Sequence, residues 1–187
     1  AATAQAAVPG KLLYAKRIGT TSTTEAGAWA IAAGPNGATA VAGGQEKNDI
    51  IYPMVAKYTN SGKRAWLKTY VDAGTGYVED VAFDRAGNVY AAATVNTGAS
   101  QDIVVIKYSA GGTFRWATTP YDGGSSGYDE AEELAVDGSR NVIVLGESNA
   151  TGLTGIVVLK YDRNGNPVWA EPTRWDADPG DPNAGSY

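Results

Sequence analysis

The stretch from Glu79 to Thr118, EDVAFDRAGNVYAAATVNTGASQDIVVIKYSAGGTFRWAT, decides the fold, because turn-forming residues divide it into four apolar runs. The spacing predicts strand one near Glu79 to Asp84. Asp84-Arg-Ala-Gly-Asn88 then supplies an Asp able to bond its own backbone and a Gly free to take positive φ, which predicts a hairpin into strand two at Val89 to Val95. A looser loop runs through Gly98. Strand three, Ile103-Val-Val-Ile-Lys-Tyr108, is apolar on successive residues, so both of its faces are expected to be covered. Ser109-Ala-Gly-Gly112 turns the chain into strand four, Thr113 to Thr118. There Phe114 and Trp116 alternate with Arg115 and Ala117, giving one wetter face that suits an outer edge.

Outward from this stretch the same frame recurs. Trp66, Trp116 and Trp169 are separated by 50 and 53 residues. The same 50 and 53 separate Lys57, Lys107 and Lys160, each followed by Tyr, and also Gly62, Gly112 and Gly165. Three unlike residue types sharing one set of offsets define a tandem repeat. Asp84 to Trp116 and Asp137 to Trp169 both span 32 residues, so the extra residues of the last copy lie between Trp116 and Asp137. They fall around Asp122-Gly-Gly-Ser-Ser-Gly127, where a surface connection tolerates insertion. The first copy keeps register through Ile31-Ala-Ala33, Val55-Ala-Lys-Tyr58, Asn60-Ser-Gly62 and Trp66. Ahead of it, Lys11-Leu-Leu-Tyr-Ala-Lys16 matches Lys63-Arg-Ala-Trp-Leu-Lys68 and reads as an unaccompanied strand four over 11–18. The expected organisation is an N-terminal extension over 1–10, a repeat array over 11–175 with copies at about 24–75, 76–126 and 127–175, and a Pro/Gly/Asp-rich tail over 176–187.

The expected fold class is all-β, with tandem four-stranded antiparallel sheets of propeller-blade type: three blades plus one N-terminal strand. The frame Asp-x-x-Gly-Asn-Val, an Ile/Val-rich strand, Lys-Tyr, a Gly turn, Trp and a Gly-rich loop resembles the bacterial seven-bladed-propeller-type (SBBP) repeats, and more distantly the NHL-type repeats. That resemblance spans roughly Lys11 to Trp175 and implies an exported protein with blade-like sheets. It implies no activity. Closed propellers typically have four to eight blades, so three blades and one strand leave two apolar faces to be covered. A longer polypeptide, a ring of several copies or an open-ended filament would each cover them.

Composition agrees with many short strands joined by tight turns. There are 24 Gly, 11 Tyr and 5 Trp against 1 Met and 2 Phe. A net charge of −5 and the absence of any basic cluster argue against nucleic acid as a partner. With no Cys and no His, disulfides, zinc centres and a Ser-His-Asp triad are excluded. No apolar run approaches the roughly 20 residues that cross a bilayer as a helix, so no membrane insertion is expected. The opening Ala1-Ala-Thr-Ala-Gln-Ala-Ala-Val-Pro-Gly10 has no initiator Met and has the small residues of a segment left by signal-peptidase cleavage. Bacterial-type export to the extracellular space or cell surface is the expectation.

Four features invite chemistry. Trp66, Trp116 and Trp169 present either a sugar-stacking ladder or a repeated packing element, and their fixed place in each copy favours packing. Lys57, Lys107 and Lys160 either converge on an anion or lay their stems on apolar surface with the ammonium in water, the latter being the expectation. From Asp122 to Asp137 there are six carboxylates and no Lys or Arg. Asp122, Asp129 and Glu130 are the calcium candidates there, although no EF-hand spacing is present and a solvated acidic loop is the simpler reading. Paired carboxylates also suit a glycosidase or lyase, yet nothing in the sequence sets two of them across a cleft. The expected function is therefore a non-enzymatic exported scaffold or interaction module that self-associates, with no cofactor beyond calcium. The alternative partner is a glycan bound by a lectin-like module.

Overall fold

The computed structural model describes residues 26–169, apart from 73, 99, 125–126 and 150–153, together with the backbone of 173–176. The expected extension at 1–10, the lone strand at 11–18 and the tail beyond 176 lie outside the described residues.

Among the described residues, twelve strands form three four-stranded antiparallel sheets in which sequence neighbours pair. Blade one holds β1 (Ala26–Ala33), β2 (Thr39–Lys47), β3 (Ile50–Tyr58) and β4 (Arg64–Thr69). Blade two holds β5 (Thr75–Phe83), β6 (Val89–Asn96), β7 (Gln101–Tyr108) and β8 (Phe114–Ala117). Blade three holds β9 (Asp129–Val136), β10 (Val142–Ser148), β11 (Gly155–Tyr161) and β12 (Thr173–Asp176). The sheets do not close into a barrel. No helix among the described residues is long and apolar enough to cross a membrane.

Local chemistry accounts for the turns. Asp84 Oδ1 accepts the N–H groups of Ala86 and Asn88, which ties the β5–β6 hairpin, and Gly87 takes φ 79° within it. Asp137 ties β9 to β10 in the same way, but there Arg140 occupies the left-handed position at φ 66°. Asp162 repeats the device between β11 and the following segment.

Each first strand carries one bulged residue, at Trp29, Glu79 and Glu132, which again stand 50 and 53 apart. A bulge sharpens the local twist. These bulged strands lie across the preceding blade: β5 packs against β1, β2 and β3, and β9 against β5, β6 and β7.

Two clusters follow from this stacking. Between blades one and two, Ala40, Ala42, Val55 and Trp66 meet Val78, Val81, Val104, Ile106 and Tyr108. Between blades two and three, Tyr90, Ala92, Ile103 and Val105 meet Leu134, Val142, Val144 and Val157. Strand β7 contributes to both through alternate residues, and every residue from Asp102 to Tyr108 is buried. The doubly covered third strand expected from the run of successive apolar residues is therefore present in blade two.

The faces of the two end blades are covered unevenly. On blade one, Met54, Ala56 and Tyr58 form a third buried cluster, and it is β1 that is uncovered, with Ile31 73% exposed where the equivalent Val81 and Leu134 are buried. On blade three, Leu145 and Ile156 are exposed at the positions of the buried Ala92 and Ile103. Strand four of blade three also departs from the repeat. Val168 N–H still donates to the Lys160 carbonyl, and Thr173 pairs opposite Val158. Trp169 thus precedes its strand, whereas Trp66 and Trp116 sit within theirs, opposite Lys57 and Lys107.

Candidate functional site

The recurrent Lys, Trp and Gly meet at the contacts between blades. Lys57 Nζ donates to the carbonyls of Gly87 (3.0 Å) and Ala110 (3.0 Å), both in blade two. Trp66 Nε1 donates to the same Ala110 carbonyl at 3.2 Å, and its indole lies 5.7 Å from the Tyr108 ring centroid. One blade later, Lys107 Nζ (2.8 Å) and Trp116 Nε1 (3.1 Å) both donate to the Arg163 carbonyl. Lys107 Nζ also lies over the rings of Tyr90 and Trp116, at 4.6 and 5.5 Å from their centroids. These two ammonium groups are not free in water, as the sequence reading had them. Burial accordingly pulls the Lys57 and Lys107 ammoniums below the usual lysine value, against the opposing pull of Asp84.

Gly62, Gly112 and Gly165 all take positive φ, at 74°, 85° and 90°. Gly112 lies against Trp66 and Gly165 against Trp116, so each turn is shaped for the indole of the blade before it. In blade three the donor half of this arrangement is turned outward. Trp169 is 39% exposed against 9% for Trp66, and Lys160 Nζ lies 5.8 Å from the Trp169 ring centroid and 3.8 Å from Asp137 Oδ2.

A second constellation lies between blades two and three. One carboxylate oxygen from each of Asp102, Asp122 and Asp129 falls within 4.8 Å of the others. β7 positions Asp102, the inter-blade connection carries Asp122, and Asp129 opens β9. Burial raises the Asp129 carboxyl above the ordinary value, with Asp122 and Asp102 adding to the effect and a Ser148 bond opposing it. Two of the three calcium candidates are thus together. The third, Glu130, is not among them; its charge helps to push the Glu79 carboxyl, already raised by burial, up to about 7. The sequence reading missed Asp102. Its signal was a carboxylate set at the head of a doubly buried strand, flanked by Thr97 and Ser100 hydroxyls that it binds at 2.7 and 2.6 Å.

A third feature is a cleft of about 450 Å³ between the β2–β3 hairpin tip and blade two. Ile50, Ile51 and Tyr77 supply its apolar wall, and Asp49, Asn96 and Gln101 supply polar groups. Trp29, exposed, packs against Tyr77 at a tilt of 30°, with 5.3 Å between ring centroids.

The fold and these contacts define a tandem array of blade-like β-sheets. Compared with known proteins, the sequence matches no protein-family model, and no curated protein is significantly similar to it.

Proposed function

We propose that the protein is a non-enzymatic structural scaffold whose copies associate head to tail through their blade faces, forming a ring or a filament. One observation carries this reading: Ile143, Leu145, Ile156 and Val158 on the outer side of blade three occupy the positions of Tyr90, Ala92, Ile103 and Val105, which blade three buries completely on blade two. The opposite end of the chain supports it, since β1 leaves Ala28 and Ile31 uncovered where β9 buries Ala131 and Leu134. Head-to-tail contact is favoured over pairing of like faces, because Glu133 and Glu147 flank the exposed Leu145 and Ile156 and two such faces would oppose their carboxylates. A heterologous contact of this kind closes into a ring or continues as a filament according to its rotation. Kinship with the exported SBBP-type repeats belongs to the same proposal.

Light scattering combined with negative-stain microscopy tests it. Particles heavier than one chain are expected at micromolar concentration, and the double substitution Leu145→Lys and Ile156→Lys is expected to return them to single chains with an unchanged circular dichroism spectrum. A wild-type protein that stays monomeric at about a hundred micromolar, a concentration at which even weak specific contacts associate, overturns the scaffold reading.

The alternative, a carbohydrate-binding module, draws on the cleft beside Tyr77, where an aromatic wall meets polar side chains. Glycan-array binding that disappears in Tyr77→Ala would favour it; an array without signal removes it.

A further inference from the structure

The acidic constellation between blades two and three carries an inference that does not depend on self-association. Asp102 and Asp129 are 3% and 2% exposed, while Asp122 is exposed at the rim. No Lys or Arg side chain among the described residues forms an ion pair with any of the three; Lys160, for example, pairs with Asp137. Convergence of three carboxylates without a cation is electrostatically unfavourable, since like charges a few ångströms apart repel one another.

The hydrogen bonds satisfy only part of the set. Asp102 accepts from Thr97 Oγ1 on Oδ2 and from Ser100 Oγ on Oδ1. Asp122 Oδ1 accepts the Gly124 N–H at 2.8 Å, and Asp129 accepts the Gly123 N–H on Oδ2 at 2.7 Å and a bond from the Ser148 side chain. Asp129 Oδ1, buried, has no hydrogen-bond partner among the described residues. A buried carboxylate oxygen without a partner costs free energy that a positive ligand would recover.

The geometry points to a calcium site formed by Asp102, Asp122 and Asp129, clamping the connection after β8 between blades two and three. The donors are all hard oxygens and the chain has no His or Cys, which disfavours the softer transition metals. Calcium–oxygen distances of about 2.3–2.6 Å place two ligands of one ion at most about 5 Å apart, and the three oxygens here lie within 4.8 Å of one another. Exposure of Asp122 leaves one side open for the water ligands that complete an irregular calcium shell. Bound there, the ion would link a strand of blade two to the first residue of blade three, stiffening the contact between them.

The full chain, stripped with a chelator, should be titrated with calcium by calorimetry and by thermal melting. Saturable binding of one ion per chain and a rise in melting temperature are expected. Asp122 is exposed, so Asp122→Asn should fold normally and weaken binding about tenfold or more, as expected when one carboxylate leaves so small a ligand set. Asp129→Asn should remove binding, while Glu130→Gln should leave it unchanged. Absence of saturable binding up to about 10 mM calcium, beyond the range of weak extracellular sites, overturns the assignment. So does binding that Asp122→Asn and Asp129→Asn both leave intact.

Discussion

Gly112 lies directly beneath Trp66: a Cβ built on the glycine would stand 2.6 Å from the indole Cγ, and the glycine holds φ at 85°. The two residues belong to different blades, so the recurrent Gly serves the blade before it and the recurrent Trp serves the blade after it. Gly112→Ala combines left-handed strain with overpacking and should cost about 2–4 kcal/mol. Gly98→Ala, also at positive φ (97°) but with nothing within 4 Å, should cost only about 1–2 kcal/mol. Urea denaturation of both variants separates the packing contribution from the backbone one.

Lys57→Met keeps the side-chain stem and removes the ammonium. The carbonyls of Gly87 and Ala110 then lose that donor, at an expected cost of about 1–3 kcal/mol. Lys160→Met should cost less than about 1 kcal/mol, since its ammonium reaches the partly exposed Asp137 and the exposed Trp169 ring rather than buried carbonyls. Equal losses from the two substitutions in denaturant titrations would refute an inter-blade role for Lys57.

Arg140 holds φ at 66° where the equivalent residue of blade two is Gly87. Arg140→Gly should relieve that conformation and stabilise the protein by about 0.5–1 kcal/mol, less the entropy that glycine adds to the unfolded chain. A higher melting temperature is the expected readout.

Burial raises the Glu79 carboxyl from 4.5 to about 7, with Glu130 and Glu132 pushing in the same direction and a Thr94 bond opposing them. Between pH 4.5 and about 7 the folded state therefore binds more protons than the unfolded chain at this residue. Its contribution to stability is full below 4.5 and is lost as pH rises through 7. Glu79→Gln should flatten the dependence of unfolding free energy on pH across this window and stabilise the protein at pH 8, a point above the raised value of about 7. A variant with the wild-type slope would show that Glu79 is ionised in the folded state.

Blade two was legible in the sequence because each of its signals is local. Asp84 and Gly87 announce a hairpin, and the unbroken apolar run Ile103 to Ile106 announces a strand covered on both sides. The packing role of Trp66 between blades was legible from its fixed place in the repeat, but the inter-blade role of Lys57 was not, since a carbonyl acceptor such as Ala110 leaves no mark in residue type. Asp102 escaped for a related reason. It lies 20 residues before Asp122, outside the acidic run, and only the turn of the chain between blades brings it to Asp129. At Trp169 the shared offset does not carry a shared place in the sheet, since Trp169 lies before the strand Thr173–Asp176.

Because β5 and β9 each lie across only the blade before them, cohesion passes along the array between neighbours. Such a molecule behaves as a short one-dimensional chain of coupled units. Blade two, flanked on both sides, sets the ceiling of protection against hydrogen exchange, and the amides of β6 and β7 should be the last to exchange. Unfolding should therefore begin at an end and travel inward, leaving the middle sheet as the final cooperative unit.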